Sequence, residues 1–566
     1  MLVASERSIL YQDEIRKDLV LFLMSIGPCH NALFSLQYPT DMIKKKPQTK
    51  DDMLLNKIRQ VAKVLRPFVK PFLLVFAIYC IAMISLWRAN VSYIDDGTRA
   101  IAGYAWNQDF SRYSSSILSY ILNVNFSLSD ISPWPQIVAM AILSVVSLIV
   151  TYILCDHKIK YLPLLMSTFI GLTPFMMGGM IYKFDAPCVA LAMLAAVLPF
   201  LLWDKINLKI SIKRMTWYGI AILLSLIVMW TSRQAANGIF IVMILAMLLK
   251  SWLDRKELKR SLLLSLFFGV LFILSACLFQ FGLPATNNYR STSTFGLPDL
   301  GSGIIVNLSN LFVTIFSSFN IVQLILLSLL ATSFIAALIT FSKRKGWHRI
   351  LDAEIGIIFV MVSFPLSIGV YIILKGSPMN TRSLIGVGFV LAIAAILMTR
   401  PLKNISAKML AIPGLILLYS FVVFFLAFGN ALADQERWAE FRANTLAGDL
   451  SRLYPNGLDG RIAYAYGDIG QSVVMQHVAN QYPVINIMES GPQIQHGLSG
   501  GFTFEFGMMK LTYYDNFPLS GGGLMAIWRP ECSKVVLDTY YHKILEGGND
   551  DINVCISIKP TAKFSR

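Results

Sequence analysis

The sequence predicts a polytopic α-helical membrane protein with a small α/β domain at its C-terminal end. Three observations carry that reading. First, 55% of the 566 residues are hydrophobic and only 14% are charged, with a mean hydropathy of +0.59, whereas a soluble globular chain carries about 25% charged residues. Second, apolar runs recur at the length a hydrocarbon core of roughly 30 Å requires, and Lys and Arg gather in alternate connections between them. Third, the apolar pattern stops after Phe428 and gives way to short mixed helix and strand signals.

The net charge of +16 does not point to nucleic acid, because of where it lies. From Asn430 onward there are 11 Lys/Arg against 14 Asp/Glu, and no basic stripe is interleaved with aromatic residues. The excess sits instead in short loops, as on the cytoplasmic side of membrane proteins.

In chain order, residues 1–70 read as a cytoplasmic or interfacial extension. They end in a basic block that includes Lys44, Lys45, Lys46, Lys57, Arg59, Lys63, Arg66 and Lys70. Residues 71–429 read as a bundle of about eleven spans: 71–88, 135–154, 161–182, 186–203, 216–231, 235–252, 261–281, 321–341, 355–374, 384–399 and 409–428. Residues 304–319 are expected to lie in the interface before a span. The charge asymmetry puts the N-terminus in the cytoplasm, with the 89–134 loop and the tail outside.

Residues 430–566 read as an external α/β domain. Expected helices run over Glu436–Leu453, Gln471–Asn480 and Ser533–Leu545, and expected strands over Ile462–Tyr466, Val484–Met488 and Ile552–Ile558. Cys532 and Cys555 stand alone in this tail, and in an oxidising compartment they are expected to pair.

The bundle is organised around Ser92-Tyr93-Ile94-Asp95-Asp96-Gly97-Thr98-Arg99, which follows the first apolar run. Charges at the hydrocarbon boundary are costly unless solvated, paired or used. Adjacent carboxylates repel, so one is expected to hold its proton longer and to suit a proton acceptor near neutral pH. Asp96, one residue farther from the span end, is the favoured base, with Asp95 and Arg99 holding and tuning it. The same external side collects Lys183, Arg233 and Arg382, cations suited to a phosphate group at the membrane surface. Tyr104, Trp106, Asp185, Gln234 and Arg290 complete the polar set and are candidate substrate contacts. The sequence contains no His/Cys/carboxylate metal spacing, no phosphate-binding glycine loop and no Gly-x-Ser-x-Gly elbow. An acidic pair beside dispersed cations is what sugar transfer from a polyprenyl phosphate needs. The lipid phosphate is then the leaving group, and neither a metal nor an organic cofactor is required.

Tyr93-Ile94-Asp95-Asp96, Arg99, Gly103-Tyr104, Trp106 and then Arg112 resemble the start of the Gtr serotype-converting O-antigen glucosyltransferases. Tyr182-Lys183-Phe184-Asp185 and Gln234-Ala235-Ala236-Asn237 resemble two further motifs of that family. The resemblance runs from about residue 70 to the end. It implies a GT-C-like fold, an undecaprenyl phosphate-glucose donor, an O-antigen or lipopolysaccharide acceptor and a bacterial inner-membrane enzyme working at the periplasmic face. It also maps the catalytic carboxylate of the first external loop onto Asp95 or Asp96. Ser111-Arg112 stands where Gly-Arg is expected, which argues against a role for Arg112. Other lipid-linked sugar transferases remain alternatives, as does a lipid or glycan flippase or transporter. A transporter, however, is expected to show charged or broken mid-membrane helices and repeat symmetry, and here the charges collect at one face.

Overall fold

The structure is a computed structural model that describes residues 50–105, 110–206, 212–283, 293–402, 405–456, 462–467, 469–488, 511–513, 532–547 and 553–560. Among these, eight helices are long and apolar enough to cross a membrane. A ninth arises if the pair Tyr161–Leu172 and Pro174–Met180, bent by 59°, counts as one span. The bend has a local cause: Pro174 has no N–H to continue the ladder and holds Thr173 extended, at ψ 143°. Two further apolar helical segments, Ala186–Leu202 and Val387–Thr399, are shorter. The sequence reading of about eleven spans counts both, together with 355–374.

Chain order builds the bundle as follows. Helix α1 (Lys50–Ala89) runs unbroken from the expected extension into the first span. The short α2 (Asp95–Ala102) and α3 (Tyr113–Asn123) fill the first connection. Then come α4 (Trp134–Leu154), the bent pair, α5 (Ala186–Val197), α6 (Ile212–Ser232), α7 (Asn237–Leu253) and α8 (Leu258–Gly282). After them stand α9 (Leu300–Ser318), α10 (Ile321–Thr340), α11 (His348–Leu366) and α12 (Val387–Thr399). The last long helix, α13 (Ile412–Leu453), has 42 residues and a length of about 63 Å, twice what a membrane needs.

The two ends of the bundle differ chemically. At the end away from the acidic pair, Asp254 gathers Lys250 at 2.8 Å, Arg400 at 2.9 Å and Lys343 at 3.4 Å. Arg344 pairs with Asp352 at 2.9 Å and His157 with Asp204 at 2.9 Å. These bonds tie together the basic connections that the charge pattern had grouped.

Helix α9 passes the length and hydropathy test for a span, yet its contacts are with elements at the acidic-pair end. Asn307 Nδ2 donates to the carbonyls of Ile372 and Leu374, both at 2.9 Å. Phe312 and Phe316 stack near Phe364 at the end of α11, and the helix packs on Pro483–Ile487. On its outer side Ile305, Val306, Val313 and Phe316 are exposed.

The first half of α13 packs along α1, where Gly429 lets the backbones close over Ser85 and Leu86. Its second half continues as the amphipathic helix expected at Glu436–Leu453. Ala439, Ala443, Leu446 and Leu450 bury against Ile544, Val554, Ile556 and Ile558 of a five-stranded mixed sheet. The strands are β1 (Ile462–Gly467), β2 (Leu511–Tyr513), β3 (Lys534–Asp538), β4 (His542–Gly547) and β5 (Asn553–Ile558), in the order β2-β1-β5-β4-β3. Helix α14 (Val473–Gln481) agrees with expectation.

Two tail expectations are corrected. Ser533–Leu545 is the β3–β4 hairpin instead of a helix, because the β-favouring run Val535-Val536-Leu537 pairs across a turn with Ile544 and Leu545. Val484–Met488 is a 3₁₀ turn over Pro483–Ile487 instead of a strand, since Pro483 starts the turn and Val484 and Ile485 sink into the bundle core. Cys532 and Cys555 form a disulfide that ties the start of β3 to β5.

Candidate active site

Helix α2 is a single short helix held from both sides. Asp95 and Asp96 occupy its first turn, where negative charge meets the positive end of the helix dipole. Gly103 stops it at φ +66° and donates its N–H to the Arg99 carbonyl. A Cβ at this position would collide with Ser127 and Leu128. Before the helix, Ile94 sits at φ 48°, a conformation that β-branched residues rarely adopt and that surrounding contacts must impose.

The two carboxylates have different surroundings. Asp96 is fully buried. Its Oδ2 accepts from the backbone N–H of Tyr93 at 3.2 Å and of Lys183 at 3.0 Å, and its Oδ1 accepts from Phe184 at 3.5 Å. Burial raises Asp96, and the Asp185 charge adds to this, while the backbone donors oppose; the balance is about 7. Asp95 is partly exposed and accepts no hydrogen bond among the described residues.

Asp185 is the hub of the site. It precedes α5, but instead of capping that helix it accepts from Arg99 Nη1 at 2.6 Å, with Arg233 at 3.9 Å. Burial alone would raise its pKa. Arg99, Arg112 and Arg233 outweigh burial and hold it at about 2. Arg112 starts α3 and lies 4.5 Å over the Phe110 ring. Burial, then the charges of Arg233 and Arg382, lower Arg112 to about 9. Arg382 lies over the Tyr182 ring at 3.8 Å. Helix α3 is fixed by Ser114 to Thr231 at 2.7 Å and by Ser115 Oγ to the Ser232 carbonyl at 2.8 Å. Gln234 Nε2 donates to the Phe110 carbonyl at 3.2 Å.

The expected set therefore divides. Arg233 and Arg382 come together, and Asp185 and Gln234 join them. Lys183 is engaged elsewhere: its Nζ reaches Asp130 at 2.8 Å and Ser92 at 3.3 Å. There it ties the chain on both sides of the first connection to the Asp96 loop. Arg99 bonds Asp185 instead of either carboxylate of the acidic pair, and Tyr104 is partly buried just beyond Gly103. Trp106 and Arg290 lie outside the described residues. Two residues enter that the sequence reading left out. Arg112 was set aside on a departure from a motif, although an arginine in the same external loop was a visible signal. Asp130 carried no signal beyond being a carboxylate in that loop.

Chemically, the guanidinium groups of Arg99, Arg112 and Arg233 act on one carboxylate, Asp185, and Arg382 stands near Arg112. Among the described residues, partly buried arginines gathered at one carboxylate make a place where an added anion is favoured. Residues 84–399 match the profile of a protein family described as glucosyl transferase GtrII. No curated protein and no solved structure matches. The matched stretch takes in every site residue from Asp95 to Arg382.

Proposed function

The chain belongs to the glucosyl transferase GtrII family, and from that membership we propose one specific reaction: transfer of glucose from undecaprenyl phosphate-glucose to an O-antigen polysaccharide. The reaction takes place in the bacterial inner membrane, at the periplasmic face. The observation that carries the reading is the gathering of Arg99, Arg112 and Arg233 around Asp185, which Arg99 ties directly to the helix of the acidic pair.

The geometry supports the following roles. Arg112, Arg233 and Arg382 receive the lipid phosphate, with Arg99 holding Asp185 between them. The acceptor hydroxyl attacks the anomeric carbon from the side of α2. Its oxygen–carbon bond forms as the bond from that carbon to the phosphate oxygen breaks. Asp95, in place of the Asp96 favoured from the sequence, takes the proton, and the lipid phosphate leaves as an anion facing the arginines. A β-linked donor then gives an α-linked glucose by single displacement. Asp96 is the positioning residue, since both of its oxygens are already engaged by backbone donors. It fixes the Tyr182–Asp185 loop against α2, and Lys183 clamps the same loop to Asp130.

The test is reconstitution in nanodiscs with synthetic undecaprenyl phosphate-glucose and lipopolysaccharide. NMR of the product is expected to show a new α-glucosyl linkage. Transfer from UDP-glucose alone, without the lipid donor, refutes the assignment. Orientation is tested by fusing a reporter active only in the cytoplasm after Arg260 and after Phe428. Activity at the first site alone is expected, and activity at the second refutes the periplasmic placement.

A further inference from the structure

The opposite end of the bundle holds a cleft of about 410 Å³ that plays no part in the reaction above. It opens between the start of the first span, at Pro67, Phe68 and Pro71, and the turn after α4, from His157 to Tyr161. We propose that this cleft seats the head group and upper chains of an anionic glycerophospholipid.

The floor is apolar and aromatic. Phe68 meets Tyr152 edge-on at 5.8 Å, and Tyr152 meets His157 at 4.9 Å. The rim is cationic, because Lys158 and Lys160 flank Ile159 and both are exposed. The turn that presents them is tightly closed. Asp156 and His157 both take positive φ, and the His157 N–H closes on the Tyr152 carbonyl at 2.8 Å.

The nearby carboxylates are already committed to other partners, Asp204 to the His157 ring at 2.9 Å and Asp156 to Lys250. Lys160 Nζ donates to the Arg400 carbonyl at 2.6 Å, which anchors that side chain beside the cleft. On α1, Arg66 and Lys70 are exposed one turn apart, where the apolar span Ala62–Ala89 begins. An apolar wall below and several cations above, at the level where a span meets water, match a phospholipid: acyl chain, glycerol, then phosphate. A free phosphate ion would use the cations and leave the aromatic floor unfilled.

The experiment uses native mass spectrometry on the full chain in detergent, with equal amounts of phosphatidylglycerol and phosphatidylethanolamine. Preferential retention of one phosphatidylglycerol is expected. The double variant Lys158→Gln, Lys160→Gln is expected to lower that preference about tenfold, as two phosphate-level cations are lost. Ile159→Trp fills the cleft without touching charge and is expected to remove the bound lipid as well, so it decides the matter if the double variant does not fold. Equal retention of both lipids, no change in either variant, or displacement of the lipid by millimolar inorganic phosphate would each overturn the proposal.

Discussion

Asparagine replacements separate the two members of the acidic pair. Asp96 takes three backbone N–H bonds on its two oxygens, at 3.2, 3.0 and 3.5 Å. An asparagine has a single acceptor oxygen. Even with that oxygen placed toward Tyr93 and Lys183, its NH₂ faces the N–H of Phe184, donor against donor. A buried N–H left without an acceptor costs about 1–3 kcal/mol, and the loop carrying Asp185 keeps only one of its two tethers. Asp96→Asn is therefore expected to lower the thermal midpoint in detergent and to reduce transfer in proportion to the misplaced loop. Asp95 has no such burden, so Asp95→Asn is expected to leave stability within about 0.5 kcal/mol. As the proposed base, it should nevertheless cut the transfer rate by at least about 10²-fold with donor binding retained. Thermal unfolding and initial-rate glucosylation on the same preparations provide both readouts. If Asp95→Asn transfers glucose at near wild-type rate while a fully stable Asp96→Asn is inactive, the assignment is reversed and the buried carboxylate is the base.

Three further outcomes follow from the same geometry. Burial and the neighbouring charges of Arg233 and Arg382 press on Arg112, yet a guanidinium keeps its charge through the accessible pH range. The donor KM is therefore expected to stay flat to about pH 10, while Arg112→Ala raises it with kcat less affected; an unchanged donor KM in that variant would remove Arg112 from the phosphate seat. Lys183→Met breaks the 2.8 Å pair with Asp130 and is expected to lower kcat while leaving the donor KM within about twofold, as suits a positioning residue; a selective rise in donor KM would return Lys183 to the phosphate. The Cys532–Cys555 link closes 23 residues, so its double serine variant should lose about 3 kcal/mol of tail stability in the chain-entropy model, and maleimide labelling of both thiols in non-reduced wild-type material would contradict the pairing.

The sequence by itself determined the membrane class, the asymmetry of the two bundle ends and the neighbourhood of the chemistry. Those features follow from local quantities: apolar run length, the sign of charge in each connection, and an acidic pair directly after a span. It also indicated that Arg233, Arg382 and Asp185 share a face, because all stand in connections of the same side. Only the tertiary structure decided which charges pair with which. Arg99 meets Asp185 across 86 residues and Lys183 meets Asp130 across 53, and no local pattern encodes such partners. The two aspartates look equivalent in sequence. They differ in the fold because a helix turns one inward onto the Tyr182–Asp185 loop and leaves its neighbour toward open space. The tail shows the same limit. Ser533–Leu545 could be taken for a helix until the β5 edge was there to pair with β4, since a strand's stability resides in its neighbours, whereas a helix closes its own hydrogen bonds.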